Sequence, residues 1–280
     1  ISITLLLLAF KDFNYDYFIE SIKNIVLYKI LVASFLLMLA VYFRGLRWNY
    51  IIQKESISTY FLFKGQLIGY FINNVFPLRA GEFIKAYYVG NKINKSKSFV
   101  LGTVFLERFF DFIGLIFLIF ILFNSRLLDI FIQNFLYAFI TVLIIILVSL
   151  LLIYALKNNF FKNKIKSNFH AFIFNIFDGF SKVKNINILI SLFLTLIIWG
   201  IYILEVYLVQ SAFNINLGLY EVVFILLVSS VSMFLPAAPG NFGTFELGWV
   251  GVLRMSGVAL KESAESALLS HFLVFNFTLI

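Results

Sequence analysis

The chain has no cysteine, only two histidines, three prolines and 13% charged residues in 280. Without thiols, disulfides, cysteine-ligated zinc, iron–sulfur clusters and thiol catalysis are excluded. With only His170 and His271, a multi-histidine metal site is not expected, and no cofactor is expected either. Ordinary soluble domains carry about 25% charged residues; this one is 62% hydrophobic, with a mean hydropathy of +0.98. No Walker-type GxxxxGK[ST] and no strand-linked GxGxxG is present, so the chain shows no nucleotide cradle. Any transport it performs runs downhill, uses an ion gradient, or depends on another subunit.

What is present is a series of apolar runs. Segments 26–43, 99–123, 135–156 and 188–209 approach or exceed the roughly 20 residues needed to cross a bilayer, and a final run starts near 264. Period-2 alternation is not sustained anywhere, which argues against strands. The fold expected is all-α: a polytopic transmembrane helix bundle forming a single integral membrane domain over 1–280. Residues 1–10 read as the tail of a first helix, and the last helix as cut by the chain end.

Runs 60–76 and 221–235 are shorter, end at proline motifs, and are followed by second short apolar stretches, 83–90 and 242–253. Such lengths fit re-entrant half-helices. The prolines all lie in these two interruptions: Asn73-Asn74-Val75-Phe76-Pro77-Leu78-Arg79-Ala80-Gly81-Glu82, and Pro236-Ala237-Ala238-Pro239-Gly240-Asn241-Phe242-Gly243-Thr244-Phe245-Glu246. Broken backbone at membrane depth survives only where protein or water satisfies it. Paired breaks in the two halves of a chain therefore point to a binding site in the bundle, and an inverted repeat would produce them.

Net charge is +8. In this setting it marks the cytoplasmic face and an anionic membrane surface as partner; nucleic acid is not expected. Lysine-rich connections (157–187 and the stretch from Lys85 to Lys97) and the Arg44, Arg47, Lys54 group are read as cytoplasmic, and 11–25, 124–134 and 210–220 as outward. The chain is thus expected as a multi-pass protein of the cytoplasmic membrane. The 157–187 connection carries apolar residues at helical spacing among lysines. It reads either as an amphipathic helix in the interface or as a helix covering the bundle's end.

Several polar positions are candidates for chemistry. Glu107 and Asp111 share one face of run 99–123, with Arg108 beside them. A bare charge at the bilayer centre costs about 2.5–3.5 kcal/mol on insertion scales, so the three must face protein or water. They form either a structural ion-pair cluster or a charged lining for a headgroup pathway. Arg79 offers a planar fork for phosphate or carboxylate, and Glu82 falls in the first turn of a half-helix, where it either complements the helix dipole or meets a ligand. Asn73 and Asn74 add donors and acceptors at the first break. In the second, Gly240 and Gly243 permit tight turns, Thr244 is a candidate N-cap, and Asn241 and Glu246 complete the polar set. The structural breaks are Pro77, Gly81, Pro236, Pro239, Gly240 and Gly243. Glu205 is read as snorkelling to the interface, and His271 as a buried hydrogen-bonding residue.

The stretches Phe76 to Glu82, Glu107-Arg108-Phe109-Phe110-Asp111, and Pro239 to Glu246 resemble, in order and spacing, the lysylphosphatidylglycerol synthase transmembrane-region family. These are flippase-like integral membrane proteins, and the resemblance covers nearly the whole chain. It implies that Arg79, Glu82, Glu107, Arg108, Asp111 and Glu246 are functional positions. It also implies binding and movement of a polar-headed phospholipid or lipid-linked precursor between leaflets. The synthase activity of bifunctional members belongs to a soluble domain that is not in this sequence and does not carry over. Two other readings stand beside it: a membrane-embedded transferase acting on a lipid-linked substrate, and a non-catalytic membrane partner of a soluble enzyme. A homo-oligomer is compatible with all three.

Overall fold

A computed structural model describes residues 15–53, 57–76, 80–93, 95–129, 183–234 and 239–276, with short pieces at 4, 7–8, 132–133, 140, 144, 174–176 and 178–179. Pro77, Arg79, Pro236 and most of the run 135–156 and of the 157–187 connection lie outside the described residues. Within them the chain is helical and no strand occurs.

The elements in order are α1 (Tyr15–Asn24), α2 (Leu27–Ile52), α3 (Thr59–Val75), α4 (Gly81–Ile93), α5 (Lys97–Ile121), α6 (Asn185–Ala212), α7 (Leu219–Phe234), a 3₁₀ turn (Pro239–Asn241), α8 (Thr244–Met255) and α9 (Leu260–Asn276). Among the described residues two helices, α2 with 26 residues and α6 with 28, are long and apolar enough to cross a membrane. At 1.5 Å per residue they measure about 39 and 42 Å, against a hydrocarbon core of about 30 Å. α5 has comparable length, 25 residues, and carries the charges at 107, 108 and 111.

Polar caps set several helix ends. Ser58 accepts from the Phe61 amide at 3.2 Å and starts α3; Ser96 does the same for Phe99 and starts α5. α2 ends at Gln53 in the left-handed conformation.

α2 and α6 form the central pair. The Val26 amide donates to the Ala212 carbonyl and Lys29 to the Ser211 carbonyl at one end, while Asn187 donates to the Tyr50 carbonyl at the other. The two helices are therefore antiparallel. Around them the short helices come in two sequential pairs. α3 and α4, with 17 and 13 residues, pack on each other and on α2 and α5; α7 and α8, with 16 and 12, pack on each other and on α5, α6 and α9. α5 joins both groups. On one side it meets the core built around Trp48, Val89 and Phe110, and on the other the core around Trp199, Phe224 and Trp249. The second break lies against α3, so the two interruptions sit on the same part of the bundle.

Two places show how the breaks are made. Gly81 opens α4 where it crosses α3 most closely. A Cβ there would collide with the Gly69 carbonyl oxygen and lie 2.6 Å from Asn73 Oδ1. In the second break Gly240, Asn241 and Gly243 have φ of 69°, 61° and 92°, a run of left-handed residues that turns the chain sharply before α8.

The sequence reading placed Arg44, Arg47 and Lys85 among charges at the cytoplasmic end of apolar runs. Instead, Arg44 and Arg47 lie inside α2 and Lys85 inside α4, all three buried at 5%, 0% and 1% exposure. Apolar periodicity ends where charge begins, but a helix continues if the charges find partners, and these do. Ile176, in the described part of the 157–187 connection, packs into the core with Val100 and Val104.

Replacing Gly81 by alanine is expected to cost about 1–3 kcal/mol by overpacking, read as a drop of several degrees in the apparent unfolding temperature in detergent. Gly200→Ala, where the added methyl meets nothing within 4 Å, is the control and should not lower it. Equal behaviour of the two variants would contradict the close α3–α4 crossing.

Candidate functional site: a charged helix junction and the cavity beside it

The spacing of Glu107 and Asp111 on α5 aims both carboxylates inward, at two different sets of partners. Asp111 Oδ2 receives Arg44 Nη2 at 2.5 Å and Arg108 Nη1 at 3.1 Å, and Oδ1 receives Arg47 Nη2 at 2.6 Å. Arg47 also donates to Thr195 Oγ1 at 2.9 Å, bringing α6 into the junction. Glu107, one turn away and fully buried, accepts from Lys85 Nζ at 2.7 Å and from Gln66 Nε2 at 2.6 Å. Lys85 in turn donates to Gln66 Oε1 at 3.1 Å. The Lys85 ammonium also lies over the Trp48 ring, 4.8 Å from its centre.

The first break joins the Asp111 network. Arg108 Nη2 meets Glu82 Oε1 at 2.8 Å, and Asn73 Nδ2 donates to Glu82 Oε2 at 3.1 Å. Asn73 Oδ1 accepts the Gly81 amide at 2.8 Å and so satisfies the start of α4, whose first turn carries Glu82. Asn74 is half-buried at the end of α3. Five of the predicted residues thus belong to two adjacent networks carried by α5: Asn73, Glu82, Arg108 and Asp111 in one, and Glu107 in the other. Arg44, Arg47, Lys85 and Gln66 complete them, and sequence reasoning assigned them no such role.

Among the described residues, four cations (Arg44, Arg47, Lys85 and Arg108) face three carboxylates (Glu82, Glu107 and Asp111), one positive charge in excess. Buried ion pairs of this kind do not reliably add stability, but removing one partner strands the other, at about 3–5 kcal/mol.

At the second break the parts differ. Glu246 Oε2 accepts the Gly243 amide at 2.8 Å and so caps α8. Thr244, expected as the N-cap, is instead the first helical residue, and its hydroxyl donates to the Asn241 carbonyl at 3.0 Å. The left-handed glycine at 243 takes the capping position and leaves the carboxylate three residues on to serve the free amide. Glu246 Oε1 lies 2.5 Å from His271 Nδ1, and His271 Nε2 lies 2.7 Å from the Gly240 carbonyl oxygen. A carbonyl only accepts, so Nε2 carries a hydrogen, and a further proton bridges Nδ1 and the carboxylate. Each half thereby holds a buried acid–base pair between its second short helix and the next helix: Lys85 with Glu107, and Glu246 with His271.

Beside the charged junction lies a cavity of about 240 Å³ between the two halves. Arg44, Arg108, Asp111 and Tyr70 border it from the first half. Its apolar walls include Leu37, Val41, Trp199, Phe245 and Trp249, and Glu205, Ser229, Ser230 and Ser270 border it from the second half. Arg44 Nε and Arg108 Nε are buried without a hydrogen-bond partner. Glu205, expected to snorkel outward, is only 4% exposed on the inner face of α6. Snorkelling needs a route to the interface, and the packing of α6 on its neighbours closes it.

The profile of the family described as lysylphosphatidylglycerol synthase TM region matches residues 1–280. The chain belongs to that family. Among curated relatives, a UPF0104 membrane protein of Methanocaldococcus jannaschii is 28% identical over 75% of this chain and 90% of its own length. A second from the same organism is 26% identical over 85% and 77%, and one from Methanothermobacter thermautotrophicus is 23% identical over 82% and 76%. No solved structure matches the chain. As a member of the lysylphosphatidylglycerol synthase transmembrane-region family, this protein is a membrane protein.

Lys85→Met alone should strand Glu107 and lower stability by about 3–5 kcal/mol. Combining it with Glu107→Met should recover most of that loss, because the pair is removed together. The check is a double-mutant comparison of apparent unfolding temperatures in detergent. Additive losses would show that the two side chains do not interact.

Proposed function

We propose that this protein binds a polar-headed phospholipid or lipid-linked molecule in the cavity between its halves and moves it between leaflets. The observation that carries this reading is the composition of that cavity. The buried guanidinium of Arg44 and the partly exposed one of Arg108, each with a buried and unpartnered Nε–H donor, adjoin apolar walls, beside described charges with one positive charge in excess. A phosphate supplies what this arrangement lacks: an anion with several acceptor oxygens matched to arginine forks. Apolar surroundings with a few convergent polar groups are the general character of ligand sites.

In this reading the short helix pairs α3–α4 and α7–α8 are re-entrant hairpins. The two halves, α2 to α5 and α6 to α9, are an inverted repeat within a polytopic bundle. Its support is the matching order of a long helix, two short ones and a further helix, together with the antiparallel α2–α6 pairing that repeats of opposite orientation require. The lysine-rich connections face the cytoplasm and its anionic lipids. Arg44 and Arg108 meet the phosphate. Asp111 and Glu82 hold the arginines in place and yield them in part when the headgroup arrives. Asn241 and Thr244 flank the path at the second break. The acyl chains stay in lipid while the headgroup crosses.

Arg108→Gln should slow transbilayer movement of a labelled phospholipid in proteoliposomes by about 10- to 100-fold, the scale of one lost charge-assisted bond of about 1.5–3 kcal/mol. The exposed Lys92→Gln variant should move lipid like the wild type. Wild-type vesicles scrambling no faster than protein-free ones would end the proposal, as would an Arg108→Gln variant with undiminished rate.

A further inference from the structure

The second-half side of the cavity holds an assembly that the phosphate reading does not use. Glu205 on α6, Ser229 on α7 and Ser270 on α9 all border it, exposed by only 4%, 3% and 1%. Glu205 Oε1, Ser229 Oγ and Ser270 Oγ are each buried without a hydrogen-bond partner. Three separate helices thus bring unpartnered oxygen atoms to one cavity. Buried polar atoms in native proteins are almost always satisfied, and here the missing partner adjoins space large enough for a ligand group.

The chemistry of that partner follows from the donor and acceptor inventory. An ionised carboxylate oxygen accepts only, and the two hydroxyls accept as well as donate. A group presenting three N–H donors and a positive charge complements all of them; a primary ammonium is such a group. The position along the groove agrees. The antiparallel contacts Lys29 to Ser211 and Arg47 to Thr195 put Glu205 level with the stretch around Leu36 on α2. That is about 12 Å along the helix axis from Arg44. Helical side chains tilt toward their own N-terminus, so on antiparallel helices Arg44 and Glu205 lean toward each other. Val41, Leu37 and Trp199 lie in the interval.

We infer that Glu205, Ser229 and Ser270 form a subsite for a primary ammonium, so that the cavity takes a dipolar ligand. Its phosphate lies at Arg44 and Arg108 and its amine at Glu205. This rests on the lipid-binding reading and adds to it a headgroup class and the residues that select it.

The test is retention of defined phospholipids by purified full-length protein, read by native mass spectrometry after delipidation and exposure to equal amounts of phosphatidylethanolamine, phosphatidylcholine and phosphatidylglycerol. The ethanolamine and choline lipids share phosphate and charge and differ in whether the nitrogen bears hydrogens. Wild type is expected to retain phosphatidylethanolamine several-fold over both others, and Glu205→Gln to bind phospholipid with that preference gone. Ser270→Ala should weaken the preference and provides a second, milder variant. In parallel, methylammonium and tetramethylammonium chloride are compared by thermal shift without lipid. Stabilisation by methylammonium as large as that by phosphatidylethanolamine would uphold the amine subsite but assign it to a soluble amine. Equal retention of the three lipids by wild type, or a preference that survives in Glu205→Gln and Ser270→Ala, overturns the inference while leaving lipid binding intact. Failure to retain any phospholipid overturns both.

Discussion

The structure depends on the need to pair charge inside an apolar bundle. Asp111 receives guanidinium groups from Arg44, Arg47 and Arg108, and through Arg47 the same junction reaches Thr195. One carboxylate therefore ties α2, α5 and α6 together at a point where no apolar contact could specify rotation or register. A leucine-rich face tolerates sliding; three converging arginines do not. The orientation of α5 that satisfies Asp111 also delivers Glu107 to Lys85 and Gln66, and Arg108 to Glu82. The first break, the central helix pair and the cavity wall are all positioned by one set of ion pairs.

The two breaks solve the same backbone problem with different parts. Ending a helix leaves amides and carbonyls without partners. In the first break Asn73 reaches across to the Gly81 amide and to Glu82. In the second, left-handed residues turn the chain, Glu246 takes the Gly243 amide, and His271 takes the Gly240 carbonyl. Both devices leave a short helix whose first turn carries a carboxylate, and both hold that carboxylate to a basic side chain on the following long or terminal helix: Arg108 for Glu82, His271 for Glu246. The aromatic rings of Phe242 and Phe245 close over His271, 4.5 and 4.7 Å from its ring centre, and keep that pair dry.

The candidate site lies where these devices leave something over. Most polar atoms of the charged junction are satisfied within the protein; the Nε groups of Arg44, Arg47 and Arg108 are not. Arg44 and Arg108 border the cavity, as do Glu205, Ser229 and Ser270 with their unpartnered oxygens and Trp199 with its unpartnered indole N–H.

Much of this was legible in the residues alone. Apolar runs, three prolines in two clusters and charges within a run determined an all-helical chain, the positions of both interruptions, the family, and Glu82, Glu107, Arg108 and Asp111 as charges in need of partners. Those are local properties, set by composition and by spacing along one helix. The partners were not local. Arg44 lies 67 residues from Asp111 in sequence, and Glu246 lies 25 from His271. Arg44, Arg47 and Lys85 looked like the charged ends of apolar runs, Thr244 like a cap, and Glu205 like an interfacial side chain. A side chain's charge says that it needs a partner, not where the partner is. Only the packing of α2 against α5 and α6, and of α6 against its neighbours, decided which charges meet and which are left facing the cavity.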